Sequence, residues 1–136
     1  MPSSICSTRP LLRKLGIEPN QQILFLYAPA NYKKILGPLP DNITLCKKLQ
    51  PNLDFIHYFT DNAKQLNQEF SSLKHALKSN GMLWISWPKQ SAKIPTDLNE
   101  NKVREIGLQH GLVDVKVCAI DNIWSGLKFV YRSKDR

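Results

Sequence analysis

Long apolar runs are missing from this sequence. The two most continuous, Ile23 to Ala28 and Met82 to Trp87, have the length of a buried strand. Neither approaches the roughly 20 apolar residues that a membrane span requires. The polar stretch Met1 to Arg9 has no apolar segment of the secretory kind, so the expected location is the cytoplasm. Cysteine is scarce: Cys6, Cys46 and Cys118 are odd in number and far apart, which excludes a disulfide framework and a CxxC metal clamp. They read as plain thiols. No two histidines stand four apart, so no metal site is expected. Glycine is equally thin, with 6 in 136 residues. No GxGxxG or GxxxxGK[ST] phosphate loop occurs, and no GxSxG elbow that would make Ser86 a nucleophile. Acidic residues are few against basic ones, 11 against 19, which leaves a net charge of +8. The excess is spread evenly along the chain, as single residues or the pairs Arg13–Lys14, Lys33–Lys34 and Lys47–Lys48. Such spacing describes a solvated positive surface better than a nucleic-acid stripe.

The residues that are present describe an ordinary globular chain, 42% hydrophobic and 22% charged. A length of 136 residues suits one domain, 1–136, with its core over about 10–132. Ser7 or Thr8 before Pro10 to Leu15 suggests a short capped helix stopped by Gly16. Gln22 to Tyr27 is apolar at consecutive positions, as a strand inside a parallel sheet must be. A short helix over Ala30 to Leu36 and strands over Ile43 to Cys46 and Leu53 to Phe59 follow. Leu66, Phe70, Leu73 and Leu77 form one stripe of a helix capped by Thr60 or Asp61, running to about Ser79 and ended by Asn80-Gly81. Met82 to Trp87 is another strand. A lysine-bearing loop, Pro88 to Pro95, precedes a helix capped by Thr96 or Asp97 that ends at His110. Residues 113–119 and 127–132 alternate in polarity on either side of Asp121-Asn122, which predicts an antiparallel pair. The fold class expected is α/β: a mostly parallel twisted sheet with helices on both faces and a C-terminal antiparallel hairpin.

This layout resembles a reduced Rossmann-like core of adenosylmethionine-dependent methyltransferases. The resemblance is carried by Leu53-Asp54-Phe55-Ile56-His57 and by Leu77-Lys78-Ser79-Asn80-Gly81-Met82-Leu83-Trp84-Ile85. From about Pro10 to Arg132 the chain also resembles a family of small bacterial proteins of methyltransferase-like fold and unknown function. There the matching stretches include Leu36-Gly37-Pro38-Leu39-Pro40, Trp84-Ile85-Ser86-Trp87-Pro88-Lys89, Pro95-Thr96-Asp97-Leu98, residues 111–119 and Trp124-Ser125-Gly126-Leu127-Lys128-Phe129. The first resemblance implies a cofactor site after the first two strands; the second brings no assigned activity with it.

Two departures weigh against that site. A glycine-rich turn lets backbone approach a nucleotide closely, yet Tyr27-Ala28-Pro29-Ala30-Asn31-Tyr32 holds no glycine. A carboxylate is wanted after the second strand, where Cys46-Lys47-Lys48 is basic. The expectation is therefore no cofactor, with adenosylmethionine disfavoured, no assigned catalytic residue, and a non-catalytic binding or interaction module. An active methyltransferase with an atypical pocket is the alternative, and basic nucleic-acid binding the third reading. The expected partner is a protein or a small anionic ligand, met at the carboxyl ends of the strands. The candidate surface is Tyr27, Asn31, Lys33, Lys47, Lys48, Asp61, Ser86, Trp87, Lys89 and Trp124. His57, inside a strand, reads as a satisfied core histidine. Trp84 and Trp87 are expected on opposite faces of one strand, beneath helices.

Overall fold

The computed structural model describes residues 10–136. Helix α1 (Leu11–Leu15) begins after Pro10 and ends at Gly16, whose φ of +87° closes the last turn. The expected caps Ser7 and Thr8, like Cys6, lie outside the described residues. Strand β1 (Gln22–Leu26), helix α2 (Tyr32–Leu36), β2 (Thr44–Cys46) and β3 (Leu53–Phe59) come next. They are followed by α3 (Ala63–Ala76), β4 (Leu77–Pro88), α4 (Glu100–Gln109), β5 (Leu112–Ala119) and β6 (Trp124–Tyr131).

The six strands form one sheet in the order β2-β1-β3-β4-β6-β5. The first four are mutually parallel. β6 is antiparallel to both of its neighbours, so it alone runs against the rest. The sequence predicts a hairpin at the edge. Its second strand in fact inserts beside β4 and leaves β5 outermost. A bulge between Asp114 and Lys116 then shifts the alternation of β5. Val115 and Val117 become exposed and Cys118 buried. Bulges of this kind twist an edge strand away from further pairing.

Each face of the sheet carries its own core. α3 and α4 cover one, where Leu66, Phe70, Leu73, Val103 and Ile106 meet Leu24, Ile56, Tyr58, Leu83, Ile85 and Trp87. α1 and α2 cover the other, where Leu15, Tyr32 and Leu36 meet Ile23, Phe55, Phe59 and Trp84. This two-sided burial explains why β1, β3 and β4 are apolar at consecutive positions. No helix among the described residues is long and apolar enough to cross a membrane.

Three boundaries of the long helices differ from the sequence reading. α3 stops at Ala76, because Leu77 turns extended and pairs with Leu53 as the first residue of β4. Its stripe of leucines is interrupted by sheet pairing, not by Asn80-Gly81. The caps are also one to three residues later than expected. Asn62 Oδ1 accepts from Gln65 N at 2.7 Å, and Asn99 Oδ1 accepts from Lys102 N at 2.8 Å.

Gly107 marks the tightest packing of α4 on the sheet. An added Cβ there would overlap the Phe129 ring. Gly107→Ala is expected to destabilise by about 1–3 kcal/mol. Urea unfolding of the variant beside the parent protein measures it, and an unchanged midpoint would contradict this packing.

Candidate functional site at the carboxyl edge

β1 through β4 end on one edge, where open α/β sheets bind their ligands. β1 lies between β2 and β3, although both follow it in sequence. The chain therefore departs to one side of β1 and later returns on the other, which opens a crevice between the ends of β1 and β3.

Tyr27 occupies the first position beyond β1, with φ at +58°. A left-handed backbone costs a residue with a Cβ about 1–2 kcal/mol, and its neighbours hold it there. The Tyr27 ring, 58% exposed, meets Tyr58 edge-on at 5.5 Å between centroids. Its hydroxyl donates to Glu69 Oε1 of α3 at 3.1 Å. That hydrogen bond raises the phenol pKa above its usual value, with burial adding to it. Because a left-handed Cβ is the source of strain, Tyr27→Gly should be more stable than Tyr27→Ala by about 1 kcal/mol, both having lost the ring. Thermal unfolding of the pair decides this; equal stabilities would remove the strain argument.

Tyr58, the next-to-last residue of β3, is fully buried. Its hydroxyl has no hydrogen-bond partner. Such an orphan costs about 1–3 kcal/mol. Burial raises its pKa, and the nearby Glu69 carboxylate adds to that. Beside it, Thr60 Oγ1 donates to Gln65 Oε1 at 2.7 Å.

The amino end of α3 is closed. Asp97 Oδ1 accepts from Ala63 N at 2.8 Å, and Thr96 Oγ1 donates to the Asp61 carbonyl at 2.6 Å. Both residues, expected to cap their own helix, serve the neighbouring one. The Pro95–Asn99 segment lies at the start of α3, where one side chain accepts from an amide and the other donates to a carbonyl.

On the opposite face a polar chain crosses the core. His57 Nδ1 lies 2.5 Å from Tyr32 Oη, and His57 Nε2 lies 2.7 Å from Ser86 Oγ. All three side chains are buried. Burial lowers the imidazole pKa to about 3 and raises the Tyr32 phenol. A neutral imidazole donates through one nitrogen and accepts through the other, which suits two hydroxyl partners. The chain resembles a nucleophile with its base, but no solvent reaches it, so it is structural. The folded-state pKa lies below the unfolded value of 6.5, so the unfolded chain binds the proton more readily. The His57 contribution is complete above pH 6.5 and drains away as pH falls toward 3. Stability should therefore drop between pH 6.5 and 5, before most carboxylates titrate, at up to about 1.4 kcal/mol per pH unit. Urea unfolding across that range measures the slope, and a flat profile would mean that His57 is not buried neutral.

The expected ligand-facing residues separate. Tyr27, Asn31, Lys33, Lys47, Lys48 and Asp61 are exposed around this edge. Ser86 and Trp87 are buried, Ser86 on His57 and Trp87 under α3 and α4. Lys89 is tied down by Nζ donating to the Asp121 carbonyl at 2.6 Å. Trp124, expected to be exposed in a turn, begins β6 half-buried, its ring edge-on to Phe59 at 5.2 Å. Glu69 and Tyr58 were invisible as site residues: one is a polar position on a helix, the other part of an apolar strand. A cavity of about 250 Å³ lined by Ser79, Gly81, Val115, Val130 and Arg136 lies at the amino end of β4, away from this edge.

No family model matches the chain, and no curated protein matches its sequence. Solved structures do match its fold. A SAM-dependent methyltransferase from Aquifex aeolicus aligns at TM-score 0.58 and 17% identity, over 95% of this chain and 93% of that one. The fibrillarin of Aeropyrum pernix, with natively bound S-adenosyl-L-methionine, aligns at 0.58 and 13%, over 94% and 72%. Magnesium protoporphyrin IX methyltransferase from Synechocystis, with bound SAH, aligns at 0.59 and 12%, over 95% and 81%. The fold is methyltransferase-like. These likenesses overturn the expectation of no cofactor, since the neighbours are SAM-dependent enzymes and two of them hold SAM or SAH. One of the two physical grounds for that expectation gives way as well. The turn after β1 enters the left-handed region without a glycine, at Tyr27. The missing carboxylate after β2 remains a real difference, for Lys47 and Lys48 stand there.

Proposed function

We propose that this chain binds S-adenosylmethionine at the carboxyl ends of β1 and β3 and acts as a methyltransferase. The observation that carries the reading is the left-handed turn at Tyr27, directly after the strand at which the sheet order reverses. A backbone that bends there without glycine supports a ligand approaching the loop Tyr27–Asn31. The unpartnered Tyr58 hydroxyl supports it too, since a buried polar atom facing a crevice calls for a partner. The cofactor would supply an electrophilic methyl group on a sulfonium, an activated group that needs no metal.

The chain's own residues would supply the rest. The Tyr27–Asn31 backbone would meet the nucleoside, and the exposed Asp61 beyond β3 offers a carboxylate for its polar groups. With lysines after β2, ribose hydroxyls would find acceptors on the β3 side of the crevice instead. That difference argues for an atypical pocket.

The test is a thermal-shift and calorimetric titration with S-adenosylmethionine and S-adenosylhomocysteine, with adenosine as control. A ligand selective for the folded state adds about 2.7 kcal/mol at one hundred times its dissociation constant. For a chain of this size that raises the melting temperature by several degrees. A flat response to both compounds at millimolar concentration would end the proposal.

A further inference from the structure

We propose that Glu69, Tyr27 and Tyr58 together form a binding site for an alkylammonium group, which makes the acceptor of this domain an amine-bearing molecule. The assignment rests on the methyltransferase reading for the word acceptor, but not for the binding itself.

Glu69 is a half-buried carboxylate in a chain of net charge +8. Among the described residues it takes part in none of the salt bridges, which join Lys78 to Asp54 and Arg104 to Glu100 and Asp114. Its hydrogen bond comes instead from a neutral phenol, the Tyr27 hydroxyl at 3.1 Å. Most acidic residues here form no salt bridge; Glu69 differs in lying half-buried against a tyrosine pair, where an incoming cation meets a carboxylate already partly desolvated.

The surroundings specify which cation. A primary ammonium presents three N–H donors and a compact charge. Three oxygens stand near one another to receive them: the Glu69 carboxylate, the Tyr27 hydroxyl bonded to it, and the orphaned Tyr58 hydroxyl, near enough for Glu69 to raise its pKa. The two tyrosine rings, edge to face at 5.5 Å, add π-faces that attract a cation and tolerate the alkyl stem behind it. An anion would meet the carboxylate and be repelled. A neutral alcohol would offer one donor where three acceptors stand.

Access runs past Tyr27. Its ring covers Tyr58 on one side and is 58% exposed on the other. Entry needs only a shift of that ring off Tyr58, in which the Tyr27 hydroxyl keeps its hydrogen bond to Glu69 and so stays among the acceptors. The Tyr58 hydroxyl, without a partner while the ring is closed, then gains one from the ligand.

The full-length chain is titrated with n-butylammonium chloride while the Tyr27 and Tyr58 ring resonances are followed by NMR. n-Butanol and sodium chloride at matched ionic strength are the controls. Saturable shifts with the ammonium, absent with butanol and with sodium chloride, are expected. Glu69→Gln should weaken binding at least tenfold. Tyr58→Phe should weaken it several-fold while leaving the melting temperature equal or higher, because an unsatisfied buried hydroxyl has been removed. That combination separates a lost ligand contact from a damaged fold. Equal shifts with butanol or sodium chloride, or parent-like affinity in both variants, would overturn the site. No donor is added in this titration, and S-adenosylhomocysteine binding is measured on the same samples. Ammonium binding without homocysteine-nucleoside binding upholds the site and removes the methyltransferase reading; the reverse result removes the site alone.

Discussion

A strand covered on both faces must find a partner inside the protein for every polar group it carries, and β3 is such a strand. From Phe55 to Phe59 its side chains alternate between the two cores, and none reaches solvent. Two of the five are polar, and they meet the constraint in opposite ways. His57, on the α1–α2 side, is bonded at both ring nitrogens by hydroxyls from α2 and β4. Tyr58, on the α3–α4 side, has a hydroxyl bonded to nothing. The satisfied group ties three elements together and is sealed. The unsatisfied one sits near the carboxyl edge of the sheet, behind the Tyr27 ring.

The contrast separates structural chemistry from candidate functional chemistry. The Tyr32–His57–Ser86 chain has the composition of a catalytic relay and the burial of a core, and burial decides the matter. Its imidazole stays neutral because charging it would require desolvating a cation with no counter-charge in reach. The Tyr27–Tyr58–Glu69 group has no familiar sequence pattern. It does have exposure on one side, a strained backbone and a carboxylate without a cation. Strain and unsatisfied polarity cluster where a ligand can relieve them.

The closure of the α3 amino end narrows the site further. Asp97 and Thr96 bind the amide and carbonyl that a ligand would otherwise find there. The acidic oxygens already at that end disfavour an anion. The basic residues Lys33, Lys47 and Lys48 line the β1–β2 side of the edge, while Glu69 lies on the β3 side. The edge thus carries basic residues toward β2 and a carboxylate toward α3.

The sequence by itself determined the order of elements and the faces of the sheet, because apolar periodicity is local and strands buried on both sides are apolar at consecutive positions. It also marked Gly16 and Asp121-Asn122 as turns, and in Asp121 the mechanism is visible: its Oδ1 accepts from the amides of Ile123 and Trp124. Tertiary structure alone decided that α3 yields Leu77 to the sheet, that β6 inserts inside β5, and that Ser86 and Trp87 are buried. It alone decided that Asp97 caps a foreign helix and that a tyrosine takes the left-handed turn after β1. Each of these depends on a partner distant in the chain: Leu53 for Leu77, Ala63 for Asp97, Glu69 and Tyr58 for Tyr27. A local pattern records a residue's own preference, whereas these positions are fixed by contacts that exist only after the chain has closed on itself.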